Sequence, residues 1–136
     1  MTTAREIMHP GVQCVGEDAN LVEAARMMRD LDVGSLPICG KDDRLHGIIT
    51  DRDIVTRAVA AGLDLEKTTA GEFGCHVHWV DASDPVSQVL KTMEDHQIRR
   101  VPVIEDHRLV GMVSEADLAR HLPEGQLASF VERVYA

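Results

Sequence analysis

Apolar and polar positions along this chain form a pattern that is written twice. Leu21, Ala24, Ala25 and Met28 keep the i, i+3, i+4, i+7 spacing of one helix face, and Val86, Val89, Leu90 and Met93 keep it again in the second half. Ahead of each helix lies a short β-rich run, "VQCV" at residues 12–15 and "VHWV" at residues 77–80. Behind each lie two apolar runs split by a polar turn: "SLPIC" and "RLHGIIT" around "GKDD", then "RVPVI" and "RLVGMV" around "EDH". Second helices open at Asp51 and Glu115, and the first of them should stop at Gly62. Each copy therefore reads strand, helix, strand, strand, helix. Pro37 and Pro102 cannot donate to a ladder, so each is expected at a strand's start or on an edge. In the second copy Ser83 or Asp84 is expected to cap the helix, with Pro85 in its first turn.

Letters repeat as well as periods. Residues 33–54 overlay residues 98–118, with Pro37 on Pro102, Gly47 on Gly111 and Asp53 on Asp117, and "TARE" at Thr3 recurs as "TAGE" at Thr69. A lone copy of about 60 residues has a marginal core and leaves a sheet face uncovered. Two copies packed face to face in one α/β (α+β) architecture solve that problem. The chain then divides into a first repeat over 1–62, a linker over 63–74, a second repeat over 75–122 and an amphipathic helix over 123–136. In that last helix Leu127, Phe130, Val131 and Val134 form a stripe that covers either the body or a partner chain.

Composition narrows the partners. The chain has 136 residues and a formal net charge of −9, which opposes binding to nucleic acid or an anionic membrane. Aromatic residues make up 3%, few rings on which unstacked bases could sit. No run approaches the length of a membrane span, and the start lacks a signal-peptide core, so the expected location is the cytoplasm.

The candidate chemistry lies in the repeated "GIITDRD" and "GMVSEAD", each a Gly, two apolar residues, a hydroxyl, two variable residues and an Asp. In an empty protein, Thr50 with Asp53 and Ser114 with Asp117 make a capping box, hydroxyl and carboxylate satisfying free N–H groups at a helix start. The same geometry suits a ligand. A helix N-terminus attracts phosphate, the aspartate one turn in can accept from ribose hydroxyls, and Gly47 and Gly111 allow a close approach to the strand.

The tandem stretches "LPICGKDDRLHGIITDRDI" and "RRVPVIEDHRLVGMVSEADL" resemble a pair of CBS domains, the Bateman module, over nearly the whole chain. Shorter runs such as "TAREIM", "AAGLD" and "HQIRRVPVI" are similar to stand-alone CBS pairs of the hypoxic stress response. The resemblance implies two βαββα repeats, clefts between them and a homodimer. It also implies phosphate and ribose of AMP, ADP, ATP or S-adenosylmethionine held by Thr50 and Asp53 in one site and by Ser114 and Asp117 in the other. Arg99 and Arg100 match positions where some members place phosphate-contacting bases, whereas the first copy has Gly34 and Ser35 there. The alternative for both arginines is solvent exposure or pairing with Glu94 or Asp95.

Cysteine and histidine leave further options open. Cys14 and Cys39 lie in strands of one small sheet, opposite Trp79 and Ile104 of the second copy, and are either small core residues or a disulfide, for which a Cα separation near 6 Å suffices. In "CHVHW", His76 and His78 share a strand face and are candidate metal ligands, with Cys75 pointing away and no fourth ligand evident. The remaining histidines, His9, His46, His96, His107 and His121, are expected at the solvated surface, and Trp79 is expected either buried in its strand or lining a cleft. No nucleophile motif, phosphate loop or His-Glu-x-x-His is present, so the chain is not expected to be an enzyme. The expected function is a regulatory module that senses an adenine-containing ligand and signals in trans. The competing expectation is a stress-related interaction or structural protein with empty clefts, possibly redox-sensitive or metal-binding.

Overall fold

The computed structural model describes residues 1–74 and 77–135, and the chain divides into two compact units. Unit A is Gln13–Val77; unit B joins Met1–Val12 to His78–Ala136. In chain order the first half runs α1 (Ala4–Ile7), β1 (His9–Pro10), β2 (Val15–Gly16), α2 (Leu21–Leu31), β3 (Ser35–Cys39), β4 (Leu45–Thr50) and α3 (Asp51–Asp53). The second half runs β5 (Val80–Asp81), α4 (Val86–Asp95), β6 (Arg100–Glu105), β7 (Arg108–Ser114), α5 (Glu115–His121) and α6 (Glu124–Val134). Helices and strands mix as the repeat pattern requires. No helix among the described residues is long and apolar enough to cross a membrane.

Unit A is a three-stranded sheet, β2-β3-β4, with α2 packed on it. Leu21, Ala24 and Met28 of α2 are buried with Leu36, Ile38 and Ile49 of the sheet, whereas Ala25 of the expected stripe is exposed. Asn20 caps α2: the Glu23 N–H donates to its Oδ1 at 2.9 Å, and the Asn20 N–H donates to Glu23 Oε2 at 3.1 Å. Helix α3 continues into a wider-wound stretch, Ile54–Val59, where bonds span five residues, as from the Ala60 N–H to the Val55 carbonyl at 3.0 Å. The chain leaves it at Gly62, whose φ of +73° is open to glycine at little cost.

Unit B carries the sheet β1-β7-β6-β5. Its core joins Val89, Leu90 and Met93 of α4 to Val101, Val103 and Val113 of the sheet. Both prolines lie inside a central strand rather than at a strand start. The parallel partner begins one residue beyond each, at Ile38 and at Val103, so the side of the strand without a donor faces no ladder there.

Two features of the chain division differ from the repeat boundaries read off the sequence. Residues 1–12 fold into unit B because Ala4 and Ile7 are buried in its core and His9 and Pro10 pair with Met112 and Gly111. That strand explains Gly111: a Cβ there would meet the His9 carbonyl oxygen at 2.8 Å, so the close approach is made by the protein itself rather than by a ligand. The stretch read as a linker folds into unit A, with Ala70 and Phe73 buried and Thr69 bridged to Asn20. The recurring "TARE" and "TAGE" therefore have matching jobs, since Thr3 is bridged to Pro85 in unit B.

Neither Ser83 nor Asp84 caps α4, and Pro85 sits at the cap position itself. Their polar groups close a local turn instead: Ser83 donates from N and Oγ to Asp81 Oδ1 at 2.9 and 2.7 Å, which holds the Asp81 carboxyl below its ordinary range. The free Val86 N–H is taken by the Thr2 carbonyl at 3.0 Å. A remote backbone thus does the work of a cap.

Helix α6 settles what its stripe covers. Phe130 and Val134 are buried in the unit B core and Leu127 packs against it, while Val131 remains exposed. Phe130→Ala should cost about 3–5 kcal/mol of unfolding free energy, measured by urea titration. In unit A, Cys14, just before β2, and Cys39, at the end of β3, are joined in a disulfide, with Cα atoms 5.7 Å apart. Reducing that bond should lower stability by about 3 kcal/mol, read as a lower melting temperature with reductant than without it.

Candidate functional site

At the end of β4 and of β7 the strand turns directly into a helix, and both turns use the same reciprocal bonds. The Thr50 N–H donates to Asp53 Oδ2 at 3.0 Å, and the Asp53 N–H donates to Thr50 Oγ1 at 3.1 Å. In unit B the Ser114 N–H and Oγ donate to Asp117 Oδ2 at 2.9 and 3.0 Å, and the Asp117 N–H donates to Ser114 Oγ at 3.4 Å. These are complete capping boxes. A further backbone bond recurs: the Asp51 N–H reaches the Gly34 carbonyl at 2.9 Å, and the Glu115 N–H reaches the Arg99 carbonyl at 3.2 Å. Cross-strand register adds Ser35 beside Thr50 and Arg100 beside Ser114. Each unit thus gathers its own set of candidate residues at one helix tip.

The two tips are not equivalent. In unit A the Arg52 N–H donates to the side chain of Asp51 at 2.8 Å, so a protein carboxylate already occupies the position an incoming anion would take. In unit B the corresponding Ala116 N–H has no acceptor among the described residues, and Ala116 is exposed. The Arg99 carbonyl and the backbone of Arg100 border the same tip, and the Arg99 guanidinium reaches it through Tyr135, which bonds to Glu115.

The aspartates differ in the opposite sense. Asp53 keeps 24% of its side chain exposed and has Arg57 Nη1 at 3.5 Å, a long and weak pairing. Arg57 also stacks over the Phe73 ring, 4.7 Å from its centroid. The Asp117 side chain is 5% exposed, with Oδ2 held by Ser114 and Oδ1 paired to Arg120. Asp53 therefore has more acceptor capacity left for a sugar hydroxyl than Asp117.

Arg99 pairs with neither acid considered from the sequence. Its Nη1 donates to the Tyr135 hydroxyl at 3.4 Å and its guanidinium lies 5.5 Å from the Tyr135 ring centroid, whereas Glu94 pairs with Arg133 at 3.1 Å. Tyr135 was not among the residues singled out in the sequence. Nothing in the spacing shows that the end of α6 returns to the β6–β7 tip.

His76 and Cys75 lie outside the described residues. His78 stacks on His96, ring centroids 3.5 Å apart and planes at 10°, so His96 is not merely solvated. Parallel rings send their nitrogen lone pairs along parallel planes rather than to one point. No group of three His, Cys, Asp or Glu side chains among the described residues is placed to hold a metal ion. Trp79 is 53% exposed, not a buried strand ring.

Comparison with known proteins agrees with this arrangement. The CBS domain family matches residues 4–60 and again 72–124. Hypoxic response protein 1 of Mycobacterium tuberculosis is 57% identical over 135 residues, spanning 98% of this chain and 94% of that protein. The CBS domain-containing protein YhcV of Bacillus subtilis is 30% identical over 119 residues, covering 88% of this chain and 84% of its own. A crystal structure of hypoxic response protein I with two coordinated zinc ions has a TM-score of 0.84 and 60% identity, covering 90% of this chain and 100% of that one. With two family matches along its length, each containing one strand-to-helix capping box, the chain belongs to the CBS-domain family.

Proposed function

We propose that this protein is a stand-alone regulatory module that binds an adenine nucleotide or S-adenosylmethionine and reports its bound state to a partner in trans. The observation that carries the reading is the tip of unit B, where an open Ala116 N–H lies at the start of α5 and the Arg99 guanidinium is held beside it by Tyr135, which also bonds Glu115. A phosphate there would gain charge-assisted bonds from groups already held in place. In unit A the less buried Asp53 and the Thr50 hydroxyl suit a ribose better than a phosphate. Membership of a family of generally non-catalytic regulatory modules supports the reading, and similarity to a hypoxic response protein supports a role in a stress response. Val55, Val59 and Leu63, exposed at 60%, 54% and 43%, provide an apolar surface for a homodimer.

A metal-holding reading is favoured by the zinc ions of the related crystal structure, with His78 as a candidate ligand in this chain. Stacked as it is on His96, His78 can give a single donor, so the other three of a four-coordinate zinc site would have to come from elsewhere. Zinc retained after dialysis and lost in His78→Ala would support it; a metal-free protein would exclude it.

The main reading is tested by thermal shift with AMP, ADP, ATP and S-adenosylmethionine on protein stripped of small molecules. A ligand at about 100 times its Kd should add roughly 2.7 kcal/mol. Four unmoved melting curves at millimolar ligand would overturn the reading. The two aspartates should also separate. Asp53→Ala should cost about 1 kcal/mol of stability, and the more buried Asp117→Ala about 2 kcal/mol, by chemical denaturation.

A further inference from the structure

The end of α6 reaches the proposed phosphate-binding tip of unit B. Phe130 and Val134 anchor the helix in the core, Arg133 pairs with Glu94, and the chain then delivers Tyr135 between Arg99 and Glu115. The Tyr135 hydroxyl accepts from Arg99 at 3.4 Å and donates to Glu115 Oε1 at 2.8 Å. Glu115 is the first residue of α5, immediately after the Ser114 cap. Unit A has glycine and serine at the positions of Arg99 and Arg100.

Consider Arg99 without the tyrosine. Glu115 would be the acid beside an exposed guanidinium whose backbone it already meets, and a direct ion pair would turn the arginine's charge inward. The inserted tyrosine alters that in two ways. Its hydroxyl engages the carboxylate of Glu115, and its ring fixes the guanidinium plane while using one of the five arginine N–H donors. The other donors stay available in a fixed fork, the form in which arginine recognises phosphate.

We propose that Tyr135 is a positioning residue that separates Arg99 from Glu115 and so sets the affinity of this tip for anionic phosphate, making the docked α6 a determinant of ligand binding. The proposal rests on the reading of Arg99 as a phosphate contact. By linkage, phosphate bound at Arg99 in turn holds the end of α6 in place.

The test is calorimetric titration of the full chain with ATP as the probe, for the wild type and for Arg99→Gln, Tyr135→Ala, Tyr135→Phe and the double variant Arg99→Gln with Tyr135→Ala. Arg99→Gln should weaken ATP about tenfold, Tyr135→Ala about three- to fivefold, and Tyr135→Phe, which keeps the ring, less than about twofold. The double variant should bind no worse than Arg99→Gln alone, because Tyr135 acts through Arg99. An additive loss in the double variant would mean a general structural effect and would overturn the proposal. If Arg99→Gln weakens ATP while Tyr135→Ala matches the wild type, the positioning role fails and the phosphate reading stands. If the wild type does not bind ATP, or Arg99→Gln binds it unchanged, the phosphate reading fails and the proposal falls with it.

Discussion

The strand-to-helix junction is the constraint on which the rest of this structure depends. A helix that starts abruptly at the end of a strand leaves N–H groups without partners, and the chain must supply acceptors within a few residues. Here the hydroxyl of the last strand residue and the aspartate three residues on satisfy each other's backbone, in both units and with the same atoms. The next acceptor comes from the neighbouring strand's lead-in, the Gly34 or Arg99 carbonyl. The junction therefore ties β4 to β3 and β7 to β6 at the point where the candidate binding groups sit.

One repeated junction with different neighbours yields two different surfaces. In unit A the carboxylate of Asp51 turns back onto the N–H of Arg52, and the tip is closed by the chain's own negative charge. In unit B that N–H is open, two arginines stand beside the cap, and α6 returns Tyr135 to hold one of them. Burial follows the opposite order, with Asp117 shielded and Asp53 partly open. The asymmetry arises from the variable positions of the motif and from its neighbours, not from the shared hydroxyl and aspartate.

The repeat, the order of elements and the capping pairs were legible in the sequence because each rests on local spacing: Leu21, Ala24 and Met28 on one helix face, Thr50 and Asp53 one turn apart. Contacts between segments far apart in the chain were not. "TARE" could be matched to "TAGE", yet its burial in unit B depends on strand β1 crossing to β7, which no local period encodes. The same holds for α4, whose free N–H finds Thr2 rather than Ser83 or Asp84. It holds again for Tyr135, which lies 36 residues from Arg99. Cys14 and Cys39 were readable as neighbours in one sheet, though not as bonded or free.

The central proposal is that these junctions, held ready by their own capping bonds, are where a sugar-phosphate ligand docks. Backbone amide resonances from isotope-labelled protein titrated with ATP test it most directly, since amide shifts report the ligand's position residue by residue. The account predicts shifts at Ser114, Glu115, Ala116 and Arg100 first, with Thr50 and Asp53 following at higher ligand. Saturable shifts elsewhere with these amides unmoved would contradict it.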